Sequence, residues 1–205
     1  GARVSLVVGI AVALISVGIG LILGLVAGYV RVLDAVIMRT MDGLMSIPAI
    51  LLAIALISLS GATLGTVILA IVIPEIPRVV RLVRAVVLTV REEPYVEAAI
   101  AAGTRLPLIL KRHILPNTIA PLIVQATYVC ASAMLTESIL GFLGAGIPPE
   151  IPSWGNIMSE GRTYFQISPW IIFFPGIGLA LTVLAVNIVG DGLRDTLDPR
   201  IARKI

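Results

Sequence analysis

REEPYVEAAIAAGTRLPLILKRHILPN, residues Arg91 to Asn117, is the longest stretch of this chain that cannot sit in hydrocarbon, and long apolar segments flank it on both sides. Pro94 is expected to open a short helix, because a proline in a first turn gives up an N–H that has no partner there anyway. Ala98, Ala99, Ala101, Ala102 and Gly103 leave that helix with almost no side-chain bulk. Ala99 and Gly103, four apart, share one face, with Glu97 and Ile100 nearby on the wheel. A helix of small residues lets another surface come close to its backbone, so this stretch reads as a docking knob.

What lies on either side belongs in a membrane. Hydrophobic residues make up 58% of the 205 and charged ones 13%, and the mean hydropathy is +1.06. A soluble domain carries about 25% charged residues. Apolar runs longer than roughly 18 residues read as transmembrane helices. Residues 4–30 form one charge-free run, and residues 43–74 form a second that is too long for one span. Ser60-Gly61-Ala62-Thr63 is the turn signal that divides it. The expected architecture is all-α, a polytopic transmembrane helical bundle with spans at about 4–30, 44–59, 63–83, 119–143 and 169–189. Residues 91–117 form a cytoplasmic loop and 144–168 an extracytoplasmic one.

Several positions inside the spans carry information. Gly20, Gly24 and Gly28 fall on one helix face, the pattern that permits close helix–helix contact in lipid. Pro48 stands near the start of the second span. Pro74 and Pro77 should kink the third, and between them Glu75 sits about twelve residues into it. A carboxylate at such depth is expensive and faces a cavity, a partner or the bundle interior. Glu75 and, in the fourth span, Glu137 are therefore substrate-pathway candidates, with a structural hydrogen bond as the competing role for each. Arg78, Arg81 and Arg84 follow at three-residue spacing and read as anchors at the inner face. Asn117 or Thr118 is expected to cap the fourth span, with Pro121 in its first turn.

Orientation follows from the cations. Lysine and arginine concentrate in cytoplasmic segments. With the central loop inside, 13 of the 15 basic residues fall on the inner side, leaving only Arg3 and Arg162 outside. The C-terminus is then cytoplasmic and Gly1 extracytoplasmic. A further helix before Gly1 would resolve that exposed start, so the chain is expected to be a fragment lacking its first helix.

Other chemistries lack their residues. There is no G-x-x-x-x-G-K-[ST] run to cradle phosphate. One histidine, His113, and one cysteine, Cys130, do not make a zinc or haem site by the usual ligand patterns, nor can one cysteine form an intrachain disulfide. No G-x-S-x-G elbow is present, and no basic patch interleaved with aromatics suggests nucleic acid. The expectation is a protein that is not an enzyme and holds no metal or cofactor of its own, whose energy for transport comes from elsewhere.

The central segment resembles the EAA loop of the integral-membrane permease subunits of ATP-binding-cassette importers. Glu97-Ala98-Ala99, then Gly103 after three residues, then Leu115-Pro116 carry the match, while His113 stands where the motif has isoleucine and Ile114 follows. The phrases RHILPN, Pro152-Ser-Trp-Gly-Asn-Ile-Met158 and Gly190-Asp-Gly-Leu-Arg-Asp-Thr-Leu-Asp-Pro-Arg200 are similar to the dipeptide and oligopeptide importer branch, C-type permease. The resemblance implies the type I ABC importer permease fold with six helices in the full-length chain, in a bacterial plasma membrane. It implies a homologous second permease in a heterodimer, two cytoplasmic ATPases that bind the ATP and Mg, and an extracytoplasmic solute-binding protein.

On that resemblance, Glu97 makes polar contacts to the ATPase and Ala98 and Ala99 pack in its groove. Gly103 permits the turn after the helix, and Arg91, Glu92 and Glu93 form a charged rim. The alternative is an ion-coupled secondary carrier or channel, which would place several ionisable groups at mid-membrane.

Overall fold

The computed structural model describes residues 1–197, and these form helices joined by short turns, with no strand among them. Arg200, Arg203 and Lys204, counted above as inner-side cations, lie outside the described residues, as does the end of the 190–200 phrase.

Helix α1 (Ala2–Tyr29) is the spine. Its glycine face meets α4 (Leu64–Val90), and the two run parallel with matched register. A Cβ at Gly20 would stand 2.5 Å from Val79, one at Gly24 2.6 Å from Val83, and one at Gly28 2.6 Å from Val87. Only glycine permits that approach, and the valines facing it are fully buried. In lipid, such packing replaces the hydrophobic driving force available in water.

The segment between them differs in detail from expectation. The charged stretch Arg31–Asp42, expected only as a connector between the first two spans, is an ordered amphipathic helix, α2 (Arg31–Met45). Ser46-Ile47-Pro48 then breaks the chain, and α3 (Ala49–Ser60) leaves at 88° to α2. At about 1.5 Å per residue, its 12 residues cover roughly 18 Å, short of a hydrocarbon core of about 30 Å. The turn at 60–63 is where the sequence placed it. Gly61 takes φ +83, and Thr63 caps α4 in a reciprocal box with Thr66, whose N–H lies 3.1 Å from the Thr63 hydroxyl. Helix α4 continues through Pro74 and Pro77 as one helical segment.

Beyond α4 comes the short α5 (Pro94–Ala101). Next is one continuous helical segment, Leu106–Leu143, made of α6 (Leu106–Ile109), a π-turn (Leu110–Ile114) and α7 (Leu115–Leu143). The expected cap at Asn117 or Thr118 is therefore absent. The helix begins earlier, after Arg105, and Pro121 lies in its interior rather than in a first turn. The Asn117 amide instead donates back to the His113 carbonyl at 2.5 Å. In the π-turn the Leu115 N–H reaches the Leu110 carbonyl, five residues back. The wider turn lets the chain enter α7 with Pro116 in place, although a proline supplies no N–H to a four-residue ladder.

On the far side, the expected polar loop is folded inward around α8 (Trp154–Gly161). Ser153 caps it, and the Asn156 amide donates to the carbonyls of Ile147, Pro148 and Ile151 at 3.0–3.1 Å. Helix α9 (Trp170–Leu197) closes the chain along α7 and leaves most of its apolar surface, including Phe174, Leu181 and Ile188, uncovered.

Among the described residues, α1, the segment Leu106–Leu143 and α9 are each long and apolar enough to cross a bilayer, and the bent α2–α3 pair passes the same test jointly. Helix α4 has the length, at 27 residues, but carries Glu75, Arg78, Arg81 and Arg84.

Candidate functional site

The segment 91–117 divides into an exposed part and an anchored part. Helix α5 begins at Pro94, as its sequence suggests. Only Val96 is fully buried, while Glu97 and Ala98 are exposed, Ala99 is half-buried, and Tyr95 and Ile100 are about half exposed. The helix ends in a Schellman motif: the Gly103 N–H donates to the Ile100 carbonyl at 2.9 Å and the Thr104 N–H to the Ala99 carbonyl at 3.0 Å. That closure needs a left-handed residue, and Gly103 supplies it with φ +76. The space around Gly103 is open within 4 Å, so within this chain its requirement is conformational rather than steric.

Two contacts tie the knob to the start of α7. The rings of Tyr95 and His113 lie 5.7 Å apart, and the Asn117 amide donates to the Tyr95 hydroxyl at 3.4 Å. The single histidine is thus a packing residue of the π-turn. Arg91 reaches the carboxyl end of α1, donating to the Gly28 carbonyl at 3.2 Å. Glu92 and Glu93 are exposed beside it.

The structure gives the three arginines of α4 partners that the sequence reading lacked. Arg84 makes a two-point pair with Asp34 at 2.5 and 2.7 Å, and Arg81 reaches Asp42 at 2.6 Å. Both acids lie on α2, so these pairs staple that helix to α4. Arg78 turns instead toward Glu75 at 3.2 Å. The signal was present in the charge count of the connector, but matching acids with bases 39 to 50 residues away needed the bend after α2.

Both carboxylates within the helices are buried. Glu75 accepts from Arg78 and from the Ser132 hydroxyl at 3.1 Å, linking α4 to α7. Glu137 is fully buried between α7 and α1 and accepts from the Ser5 hydroxyl at 2.7 Å through Oε2, while Oε1 has no partner among the described residues. The structure does not bring the two carboxylates into one site. Glu137 is level with Ser5 near the N-terminal end of α1, whereas the α1–α4 register puts Glu75 level with Ser16, about three turns further along that helix.

Among the described residues, an all-helical bundle with several helices long and apolar enough to cross a bilayer, and a small-residue knob projecting from one end, defines an integral-membrane helical protein. The comparisons place it further. The family model described as "Binding-protein-dependent transport system inner membrane component" matches residues 16–203, and the chain belongs to that family. It is 59% identical over 204 residues to the "Probable peptide ABC transporter permease protein y4tQ" of Sinorhizobium fredii, covering all of this chain and 70% of that protein. It is 44% identical over 202 residues to the "Dipeptide transport system permease protein DppC" of Alkalihalophilus pseudofirmus, covering 98% of this chain and 66% of the relative.

Among solved structures, the inward-facing MetNI methionine ABC transporter matches with a TM-score of 0.71 at 20% identity, over 95% of this chain and 94% of the other. That likeness concerns the fold, the type I ABC importer permease fold. Family membership makes this chain a transport subunit rather than an enzyme, and implies companion ATPase and solute-binding components.

Proposed function

We propose that this chain forms half of the transmembrane pathway of an importer for di- or oligopeptides, driven through α5 by a cytoplasmic ATPase. The peptide assignment rests on the names of the relatives. The coupling assignment rests chiefly on one observation: α5 is held by a single fully buried side chain, Val96, and offers a face of Glu97, Ala98 and Ala99 to whatever approaches. In this reading Ala98 and Ala99 enter a groove on the ATPase, Glu97 makes the polar contact, and Arg91, Glu92 and Glu93 form the rim. The Gly103 turn fixes the angle of the knob. Closure of two ATPases pushes on α5, and the Tyr95–His113 contact passes the movement to the π-turn and α7.

The proposal keeps five spans in this chain, with α4 as the third, α2 lying along the inner surface and the C-terminus cytoplasmic. A homologous but different permease completes the pathway. The uncovered face of α9 and the polar face near Glu75 are the surfaces available for it and for the cargo. Glu75 is the better-supported pathway residue, because its partner Arg78 is partly exposed. Glu137 would contribute when its bond to Ser5 opens.

The test is reconstitution of the full-length subunit with its companion permease, ATPases and binding protein, reading ATP hydrolysis with and without a peptide mixture. Stimulation that disappears in Gly103→Asp supports the assignment. Uptake that follows a proton or sodium gradient and ignores ATP would replace it with a carrier.

A further inference from the structure

Three observations converge on a polar site at membrane depth. The first is depth. Helices α1 and α4 are parallel, with Gly20 against Val79 and Gly24 against Val83. One turn back in the same register, Glu75 is level with Ser16 and Arg78 with Ile19. The charge-free run of α1 covers residues 4–30, so its midpoint is Val17. The Glu75–Arg78 pair is therefore level with the central part of that apolar run, within two residues of its midpoint.

The second is exposure. The Glu75 side chain is 8% exposed but that of Arg78 is 42% exposed. A guanidinium held toward lipid at this depth would be costly, and such residues face a water-filled cavity or the bundle interior. Tyr128 of α7 lies beside it, half exposed, with its ring centre 5.9 Å from the guanidinium carbon.

The third is unused donor capacity. Both bonds from Arg78 to Glu75 leave from Nη1, at 3.2 and 3.4 Å. Among the described residues, Nε and Nη2 have no hydrogen-bond partner. Those two donors form the edge of the planar fork that takes a carboxylate at two points. Glu75, meanwhile, is steadied from the other side by Ser132, and the hydroxyl of Ser16, at the same level of α1, is buried without a partner among the described residues.

We propose that Arg78, backed by Glu75 and flanked by Tyr128 and Ser132, is a relay site for the carboxylate of the cargo as it crosses the membrane. Glu75 holds the guanidinium in place and offsets its charge while the site is empty. The free edge of the fork binds the C-terminal or side-chain carboxylate of a peptide, and the Tyr128 ring supports the guanidinium from beside it. The pairing with Glu75 keeps the site from becoming a deep trap, since the arginine is already partly neutralised. This inference rests on the peptide reading above.

The experiment uses the complete importer in proteoliposomes with labelled Ala-Ala as the probe, comparing wild type, Arg78→Gln and Arg78→Lys. Wild type that takes up no Ala-Ala in an ATP-dependent way would end the peptide reading itself. With wild-type uptake established, the proposal expects Arg78→Gln to lower uptake at least tenfold. ATP hydrolysis stimulated by the loaded binding protein should stay within twofold. Arg78→Lys, which keeps the charge but not the fork, should fall between the two. Unchanged uptake in Arg78→Gln overturns the proposal. If Arg78→Gln fails to assemble, Arg78→Lys decides: reduced uptake with normal ATP hydrolysis supports the relay, and full wild-type uptake marks Arg78 as a contact with the companion permease instead.

Discussion

The seam between α1 and α4 and the knob formed by α5 are both built from small residues, and they use them in opposite ways. In the seam, Gly20, Gly24 and Gly28 are filled by valines from the neighbouring helix, so the absence of side chains is consumed inside the chain. In the knob, Ala98 and Gly103 face open space, and the absence of side chains is left for something else. Small residues alone do not distinguish scaffold from interface. What distinguishes them is whether the fold has already spent the space.

The comparison breaks most directly at the seam. Gly24→Leu should have the largest effect of any single change, because even a Cβ there meets Val83 at 2.6 Å with its helix backbone just behind. Overpacking of this kind costs about 1–3 kcal/mol or more. The expected outcome is a marked loss of folded protein in the membrane, read by detergent-resistant yield and thermal unfolding. Val83→Ala in the same chain should recover part of it.

Next in size is Ser5→Ala. It removes the 2.7 Å bond to Glu137 and leaves that buried carboxylate with only the distant Ser138 hydroxyl, 3.4 Å away. An unsatisfied buried polar group costs about 1–3 kcal/mol, more for charged groups, and thermal unfolding should show it. No change in stability would mean that Glu137 finds another partner.

Gly103→Ala should behave differently. It places a Cβ in a left-handed position, at about 1–2 kcal/mol, but in a turn on which little else depends. Thermal stability should move only slightly while coupling of ATP hydrolysis to uptake falls several-fold. Equal losses in both would make α5 part of the scaffold.

The smallest effect belongs to Arg84→Gln, which unfastens α2 from α4. Its pair with Asp34 is roughly a quarter exposed, so the cost is about 1 kcal/mol or less. It should be seen as faster proteolysis within α2 rather than as global unfolding.

Legibility in the sequence followed the range of the interactions. The glycine face of α1, the turn at 60–63, the start of α5 at Pro94 and its end at Gly103 are set by neighbours within one or two turns, and each was readable. The helix through 106–143 was not. Pro107, Pro116 and Pro121 argue for breaks, and the π-turn that accommodates the second of them has no sequence signature of its own. Helix α2 fell between the first two expected spans, because its charges interrupt the apolar runs, and nothing local shows that Asp34 and Asp42 are paired with arginines of α4. The site at Glu75 was half visible: the carboxylate stood out by its depth, but Arg78 was grouped with Arg81 and Arg84 at the inner face. Its partner separates it from them: Arg81 and Arg84 pair with acids of α2, whereas Arg78 pairs with Glu75 of its own helix.

The central claim is that α5 is the surface on which the ATPase acts, and proximity tests it most directly. The only native cysteine, Cys130, is buried, so a cysteine introduced as Ala98→Cys can be followed in the assembled importer with a short bifunctional maleimide. Leu181→Cys, on the uncovered face of α9, serves as the control. The account predicts a cross-link from position 98 to the ATPase subunit that changes in yield when ATP is bound, and none from position 181. A complex that hydrolyses ATP on peptide addition yet gives no cross-link from position 98 would contradict it.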